Sequence, residues 1–369
     1  MFGTGWYLAS NPDFVQSRNH SRWQPLAKCS IPLVSKFARL MLHPIWHYVR
    51  VGEQEGKTPC IFFDAGKYLA ANPDIRESET NAFWHYIRSG AAEGRSGQGR
   101  MELNISRLNL IRTECWDRLG IQEISSGQLP EEQPVTGSIA VHLHLFYPEM
   151  KELFIRALRN IPRPFDLFLS CCEDEISTEE FRSALPNVGR IKLDRVPNRG
   201  RDMAPFLAML RKEFTQYDII CHLHTKCSPH DPALRGWRDW ILQLLLGSPK
   251  QVSGILALLR RDGKMIYPAS HPKAEPDSVT GWSCNYDEAG RLLSRYTDLD
   301  IRQFPIIDFP HGSMFWARSE ALQRLLTLPL TLEDFPAEPI PPDGTTAHAL
   351  ERLLLVLASD VPGKAYRIY

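Results

Sequence analysis

From residue 138 onward the apolar positions fall into short runs separated by amphipathic stretches. Residues 139–146, 165–170, 190–196 and 218–224 are dense in Val, Ile, Leu and Phe and read as strands. Between them, 149–159, 178–184 and 203–213 carry apolar residues at helical spacing. Short strands alternating with helices of this length predict an α/β domain built on a mostly parallel sheet flanked by helices. Right-handed crossovers then place the strand carboxyl ends, with their loops, along one edge of that sheet. Four polar clusters fall at this edge: His142 with His144, residues 170–173, residues 198–202, and residues 222–226.

The first hundred residues follow a different pattern. Trp6-Tyr-Leu-Ala-Ser-Asn-Pro-Asp13 returns as Lys67-Tyr-Leu-Ala-Ala-Asn-Pro-Asp74, and Ile45-Trp-His-Tyr-Val-Arg-Val-Gly52 returns as Phe83-Trp-His-Tyr-Ile-Arg-Ser-Gly90. The offsets are 61 residues (67 − 6) and 38 residues (83 − 45), so the first copy carries a 23-residue insertion. Each copy predicts a small helical hairpin, with Gly52 and Gly90 where a helix would end and with His47 and His85 packed between aromatic neighbours. Two copies are few for a free-standing solenoid, so docking onto the rest of the chain or a partner is expected. The organisation is therefore a helical repeat region over 1–100, a linker over 101–137 with a short helix at 103–118, and an α/β domain over 138–369.

Composition narrows the function. Lys plus Arg and Asp plus Glu number 43 each, and this balance argues against bulk electrostatic binding of nucleic acid. No apolar run reaches the eighteen or so residues that span a bilayer, and residues 1–6 lack a secretory pattern. Eight cysteines without framework spacing read as reduced thiols of a cytoplasmic protein.

Asn198, Arg199, Gly200, Arg201 and Asp202 follow a strand and open a helix. Gly200 permits a tight turn, the helix start offers backbone N–H groups to an anion, and the arginines offer forked donors. Asp202 fits an N-cap with Pro205 in the first turn. The bland alternative is a solvated basic turn.

His222-Leu-His-Thr-Lys226 places two imidazoles on one face of a strand and leaves three readings open. These are a metal pair, a structural polar network, and a metal-free site in which His222, His224 and Lys226 neutralise a leaving diphosphate. Lys226 would repel a cation, and no further ligands follow, which favours the third reading. His142-Leu-His144 also fits the opening of a metal-dependent hydrolase barrel, although about 230 residues are short for that fold. Downstream, Gly312 centres a turn leading to an aromatic strand. Asp343 precedes a helix that carries His348 and Glu351, and serves as a cap or as a general base.

In combination, the segments VHLHLFYPE, NIPRPFDLFLS, VPNRGRDMAPFL, YDIICHLHTKCSPH, DFPHGSMFWARSEAL and DFPAE with DGTTAHALERL resemble the rhamnan synthesis F family over residues 138–358. The repeats are similar to short modules found beside bacterial glycosyltransferase domains. The resemblance implies a GT-A-like glycosyltransferase, a rhamnosyltransferase by the family's name, acting on a nucleotide-sugar donor and a glycan or lipid-linked acceptor near the inner membrane face. It places Asn198-Arg-Gly200 at the family's Asn-x-Gly turn and His222-Leu-His224 where Asp-x-Asp would hold a metal, so no cofactor is expected. On this basis Asp343, His224 and Lys226 are the expected catalytic set. His144, Tyr147, Asn198, Arg199, Gly200, Arg201, Asp202 and His222 are expected to bind the donor. Gly312, Ser313, Trp316, His348 and Glu351 are expected on the acceptor side. A metal-dependent hydrolase and a non-catalytic glycan-binding protein are the alternatives.

Overall fold

The chain forms two compact units, residues 1–111 and 112–369. A computed structural model describes residue 11 and residues 43–60, 63–78, 80–91, 93–97, 105–131, 137–172, 176–225, 236–271, 280–341 and 343–369.

In the first unit lie α1 (Pro44–His47), α2 (Ala65–Ala71), α3 (Pro73–Glu77) and α4 (Ala82–His85). Helices α1 and α4 each continue into a π-turn, Tyr48–Gly52 and Tyr86–Gly90, so the two Trp-His-Tyr copies fold alike. Their apolar faces meet in a shared aromatic core of Tyr48, Phe63, Tyr68, Phe83 and Tyr86. His85 is structural, its Nδ1 lying 2.9 Å from the Tyr68 hydroxyl. The backbone turns left-handed at Gly56 and Gly94, not at Gly52 and Gly90. Gly90 is instead small because the Tyr68 hydroxyl occupies the place of a Cβ. Apart from Asn11, the motif at 6–13 lies outside the described residues.

The stretch expected to be a linker supplies a 15-residue helix, α5 (Ile105–Leu119), and a strand, β1 (Ile121–Ile124). Then follow β2 (Ile139–Leu145), α6 (Lys151–Leu158), β3 (Phe165–Cys171), α7 (Thr178–Ala184), β4 (Val188–Arg195), α8 (Met203–Leu210) and β5 (Ile219–His224). The chain continues through α9 (Trp237–Leu246), α10 (Pro249–Arg261), β6 (Gly263–Pro268), α11 (Tyr286–Tyr296), β7 (Phe315–Arg318), α12 (Gln323–Thr327), α13 (Thr346–Leu357) and β8 (Lys364–Ile368). The eight strands form one open sheet in the order β1-β8-β6-β7-β5-β2-β3-β4. Every pairing is parallel except the two that β7 makes with β5 and β6. An open sheet with an antiparallel strand is not a (β/α)8 barrel, which removes the structural basis of the hydrolase-barrel alternative.

Strand alternation divides the core in two. Ala140, Phe168, Ile220 and Phe315 face α8, α11 and α13 on one side. Val141, Leu169, Cys221 and Trp316 face α6, α9 and α10 on the other. Ser248 caps α10 by accepting from the Gln251 N–H at 3.2 Å, with Pro249 opening the helix. Among the described residues no single helix is long and apolar enough to cross a membrane; α9 and α10 pass that test only as a pair bent by 69°. Their apolar residues Ile241, Leu245, Ile255 and Leu258 are fully buried in the core.

Successive residues of β7 point to opposite faces of the sheet. Trp316, expected on the acceptor side, is fully buried on the face away from α8, and its indole N–H donates to the Leu245 carbonyl at 3.1 Å. We predict that Trp316→Ala lowers the unfolding free energy by about 3–5 kcal/mol, the cost of emptying a large core site. Urea denaturation measures this; a variant as stable as the parent chain would refute the core assignment.

Candidate functional site

Strands β2 and β5 lie side by side in parallel register, with His142 opposite His222 and His144 opposite His224. At this pair the chain order of the sheet reverses, since β3 and β4 lie beyond β2 on one side and β5 pairs on the other. Crevices at the carboxyl ends of such strands are the usual ligand sites of open α/β sheets. Two residues at a time along the shared face, the side chains change from Ala140 and Ile220, to the buried His142 and His222, and then to His144 and His224 at a cavity of about 540 Å³. Phe206 of α8 lies over His222 with ring centroids 4.3 Å apart, and Phe315 of β7 closes the other side at 5.6 Å.

The imidazoles are linked in series. Asp202 Oδ2 lies 3.2 Å from His222 Nε2, and His222 Nδ1 lies 2.9 Å from His142 Nδ1. His142 Nε2 meets Ser170 Oγ at 3.0 Å, and the same oxygen meets His144 Nδ1 at 2.9 Å. His224 Nε2 donates separately to the Gly312 carbonyl at 2.7 Å. Burial, reinforced by the neighbouring imidazoles, holds His142 well below the ordinary histidine range. Burial also lowers His144 to about 4 and lowers His222. Burial opposes ionisation of Asp202, but the nearby His224 and the His222 hydrogen bond outweigh it and hold the carboxyl below the usual range.

The turn after β4 shows why sequence could locate these groups without assigning their contacts. Gly200 adopts φ 74°, where a Cβ would strike Ala204 and the Phe335 ring. Arg201 is also left-handed, at φ 53°, and lines the cavity with Asn198 and Asp202. Arg199 does not line it; its guanidinium donates to the Phe335 carbonyl at 2.6 Å and the Glu333 carbonyl at 3.2 Å, fastening the loop before α13. Asp202 stands at the N-cap position of α8 but makes no side-chain capping bond, because its carboxylate serves His222. His222, expected to touch the donor, is fully buried with both ring nitrogens engaged, so it cannot meet a ligand.

On the opposite wall, Asp343 Oδ1 accepts from Asn285 Nδ2 at 2.8 Å and Oδ2 from the Cys284 N–H at 3.4 Å. Thr345 and His348 form a capping box at the start of α13. The Thr345 N–H points to His348 Nδ1 at 3.4 Å and its Oγ1 lies 2.8 Å away. The proton of the neutral ring is therefore on Nε2, which is buried without a partner. Burial and then the Arg201 charge keep this ring neutral by lowering its pKa. Glu351 accepts from the Gly312 N–H at 2.7 Å and pairs with Arg352, whose guanidinium lies 4.0 Å above Phe309. Gly312 is thus held through its carbonyl by β5 and through its amide by α13.

Of the expected residues, one cavity collects His144, Tyr147, Asn198, Arg201, Asp202, His224, Gly312, Ser313, Asp343, His348 and Glu351. Lys226 lies outside the described residues. Sequence reasoning missed Thr225, Trp237, His311, Glu338 and Arg352 in the lining, and Ser170 and Asn285 behind it. Thr225 sits inside the His-x-His-Thr run, and its Oγ1 accepts from the N–H groups of Phe146 and Tyr147 at 2.9 and 3.0 Å. Arg352 sits four residues after His348, a helical spacing that would have found it. Among the described residues no group of three or more His, Cys, Asp or Glu side chains is arranged to hold a metal ion.

Comparison with known proteins shows what the chain is similar to. The family model described as RgpF, rhamnan synthesis protein F, matches residues 119–362. The uncharacterized protein WxcX of Xanthomonas campestris pv. campestris (strain ATCC 33913) is 30% identical over 221 residues, 59% of this chain and 31% of that protein. WxcX of strain B100 is 30% identical over 219 residues, again 59% and 31%. The chain therefore spans about a third of the length of these curated relatives. The crystal structure of S. aureus TarS 1-349 overlaps 63% of this chain and 60% of its own, with 9% identity and a TM-score of 0.34.

The buried imidazoles make stability depend on pH. Their folded pKa values lie below the unfolded value near 6.5, so below that pH the unfolded chain binds protons that the folded chain refuses. Stability is complete above about pH 7 and falls as pH drops from 6.5 toward 4. Melting temperatures recorded from pH 8 to pH 4.5 should show this fall, and His144→Gln should make it shallower by up to about one proton. An equally steep fall in the variant would contradict the burial argument for His144.

Proposed function

The chain belongs to the rhamnan synthesis protein F family, and from that premise we propose that it is a glycosyltransferase of polysaccharide synthesis. The observation that carries this reading is the single cavity at the carboxyl ends of β2 and β5, where Arg201, Asp343 and His348 all reach the lining. A GT-A-like reading of the sheet agrees with the order of motifs: strands leading to the Asn198-Arg-Gly200 turn, then β5 ending in His222-Leu-His224. The donor is a nucleotide sugar, and rhamnose is the sugar that the family description favours. The acceptor is a glycan or lipid-linked glycan, met at the inner membrane face.

In the proposed reaction Asn198 and Arg201 contact the diphosphate, with charge-assisted hydrogen bonds from the guanidinium. Lys226 supports the leaving group as negative charge develops on it, while His224, expected to share that task, gives its Nε2 proton to the Gly312 carbonyl and holds the turn beside the cavity. Asp343, oriented by Asn285 and the Cys284 amide, takes the proton of the acceptor hydroxyl. The freed oxygen attacks the anomeric carbon while the bond to the diphosphate breaks, in one inverting displacement. Gly312, Ser313 and Glu351 shape the acceptor side. Transfer without a metal is supported by the donor set at β5, because a buried imidazole bonded at both nitrogens is no substitute for the first carboxylate of Asp-x-Asp.

A thermal-shift screen of nucleotide sugars, with and without EDTA, tests the reading. We expect at least one nucleotide sugar to raise the melting temperature equally in both conditions. Arg201→Ala should weaken that donor about ten-fold or more, the worth of a charge-assisted hydrogen bond. Asp343→Asn should bind the donor and lose transfer to a glycan acceptor. No shift with any nucleotide sugar would favour a non-catalytic glycan-binding protein; undiminished transfer by Asp343→Asn would remove that residue as the base.

A further inference from the structure

We propose that Asp202, His222, His142, Ser170 and His144 form a one-way hydrogen-bond relay that turns the bare Nε2 of His144 toward the cavity, where it accepts a hydrogen bond, and on demand a proton, from a ligand hydroxyl. The direction follows from bonding rules along the chain of contacts. A carboxylate only accepts, so His222 Nε2 carries the proton it gives to Asp202. A neutral imidazole has one N–H, which leaves His222 Nδ1 as an acceptor and makes His142 Nδ1 the donor to it. His142 Nε2 is then an acceptor and takes the Ser170 hydroxyl proton. Ser170 Oγ, its proton committed, accepts from His144 Nδ1. Each link has one donor and one acceptor, and His144 is left with a lone pair on Nε2. His144 lines the cavity with only 4% of its surface exposed, and Nδ1 is taken by Ser170. Nε2 is the nitrogen that remains for a ligand.

Neutral rings are what this environment enforces. His142, His222 and Ser170 are fully buried, and His144 nearly so. The ionisable groups facing His144 are His142 on its own strand, His222 and His224 on β5, and Asp202 before α8. On β4, Asp194 stands opposite Ser170 in register, 3.8 Å from the Lys192 ammonium. The depressed pKa values of all three relay imidazoles agree with one mobile proton per link.

The same wire gives a route for a proton taken from the cavity. A ligand hydroxyl passes its proton to His144 Nε2, and the Nδ1 proton moves to Ser170 Oγ as the serine's own proton moves to His142 Nε2. The His142 Nδ1 proton then moves to His222 Nδ1. The charge ends as a His222 imidazolium against the Asp202 carboxylate, with one proton gained and none lost. His144 touches the ligand; Ser170, His142, His222 and Asp202 are positioning residues. The relay does not rest on the transferase reading, which decides only whose hydroxyl arrives.

Long-range ¹H–¹⁵N correlation spectra of the full chain with ¹⁵N-labelled histidine read each tautomer directly, with His144→Gln assigning the signal. At pH 7 we expect the Nδ1–H tautomer at His144 and His142 and the Nε2–H tautomer at His222, with His144 still neutral at pH 5. A His144 ring protonated on Nε2, or charged, at pH 7 would overturn the proposal. Ser170→Ala should release His144 into a mixture of tautomers, and Ser170→Thr, which keeps Oγ, should restore the single form. If Ser170→Ala folds and leaves His144 fixed, the relay is not the cause. The wild-type spectrum decides the tautomer even if both variants fail to fold. Transfer assays are scored separately, so correct tautomers without transfer activity would sink the transferase reading and leave the relay standing.

Discussion

Parallel pairing of β2 with β5 in a fixed register is the constraint on which the rest of the site depends. Because strand side chains alternate with period two, this register sets His142 beside His222, with ring centroids 5.0 Å apart and ring planes inclined by 20°. A slip of β5 by one residue would send His222 and His224 into the aliphatic layer against α6, α9 and α10 and leave His142 and His144 without these partners. Burying so many polar rings is tolerable only when each finds a partner. The partners come from three separate places: Ser170 on β3, Asp202 before α8, and Gly312 before β7. The loops around the cavity are therefore held by the needs of the imidazoles beneath them.

Gly312 shows how this constraint reaches α13. Its carbonyl is fixed by His224 and its amide by Glu351, so the antiparallel strand β7 enters the sheet at a set height against both. Arg199 ties the loop before α13 to the turn before α8 in the same manner. Asn285 binds Asp343 and also accepts from the Gly344 N–H at 3.2 Å. The walls of the cavity are cross-braced by hydrogen bonds between chain segments far apart in sequence.

The alternation of β2 to β5 with α6 to α8 was legible because β2, β3 and β5 are rich in apolar residues, β4 alternates Ile191 and Leu193 with polar residues, and the helices between them carry apolar residues at helical spacing. Strands β1, β6 and β8 were not. β1 (Ile-Gln-Glu-Ile) is short with two exposed polar residues, and β6 opens with Gly263 and Lys264 and ends at Pro268. Lys264 is a buried cation whose Nζ donates to the Ala358 carbonyl at 2.8 Å, a contact 94 residues away that no local pattern announces. Sequence spacing also found the residues around the cavity better than their roles. It put Arg199 and Arg201 in one turn, but only the left-handed backbone at Gly200 and Arg201 separates a loop-fastening guanidinium from one facing the cavity. It put His222 and His224 on one face, but depth along β5 decides which can meet a ligand.

Imidazole offers what carboxylate does not: an atom whose hydrogen-bond sense is set by what holds the other side of the ring. At His348 the capping box occupies Nδ1 with a backbone N–H, so the buried Nε2 is a donor without a partner. At His144 the Ser170 oxygen occupies Nδ1 as an acceptor, so Nε2 becomes the lone-pair atom. The same cavity then presents a donor ring on α13 and an acceptor ring on β2. An unpaired buried N–H costs about 1–3 kcal/mol, a cost that His348 Nε2 carries in the folded chain. Two carboxylates would select for a cation and have no directional preference of this kind. An ordered imidazole instead selects by the direction of a hydrogen bond, since its two nitrogens differ in sense.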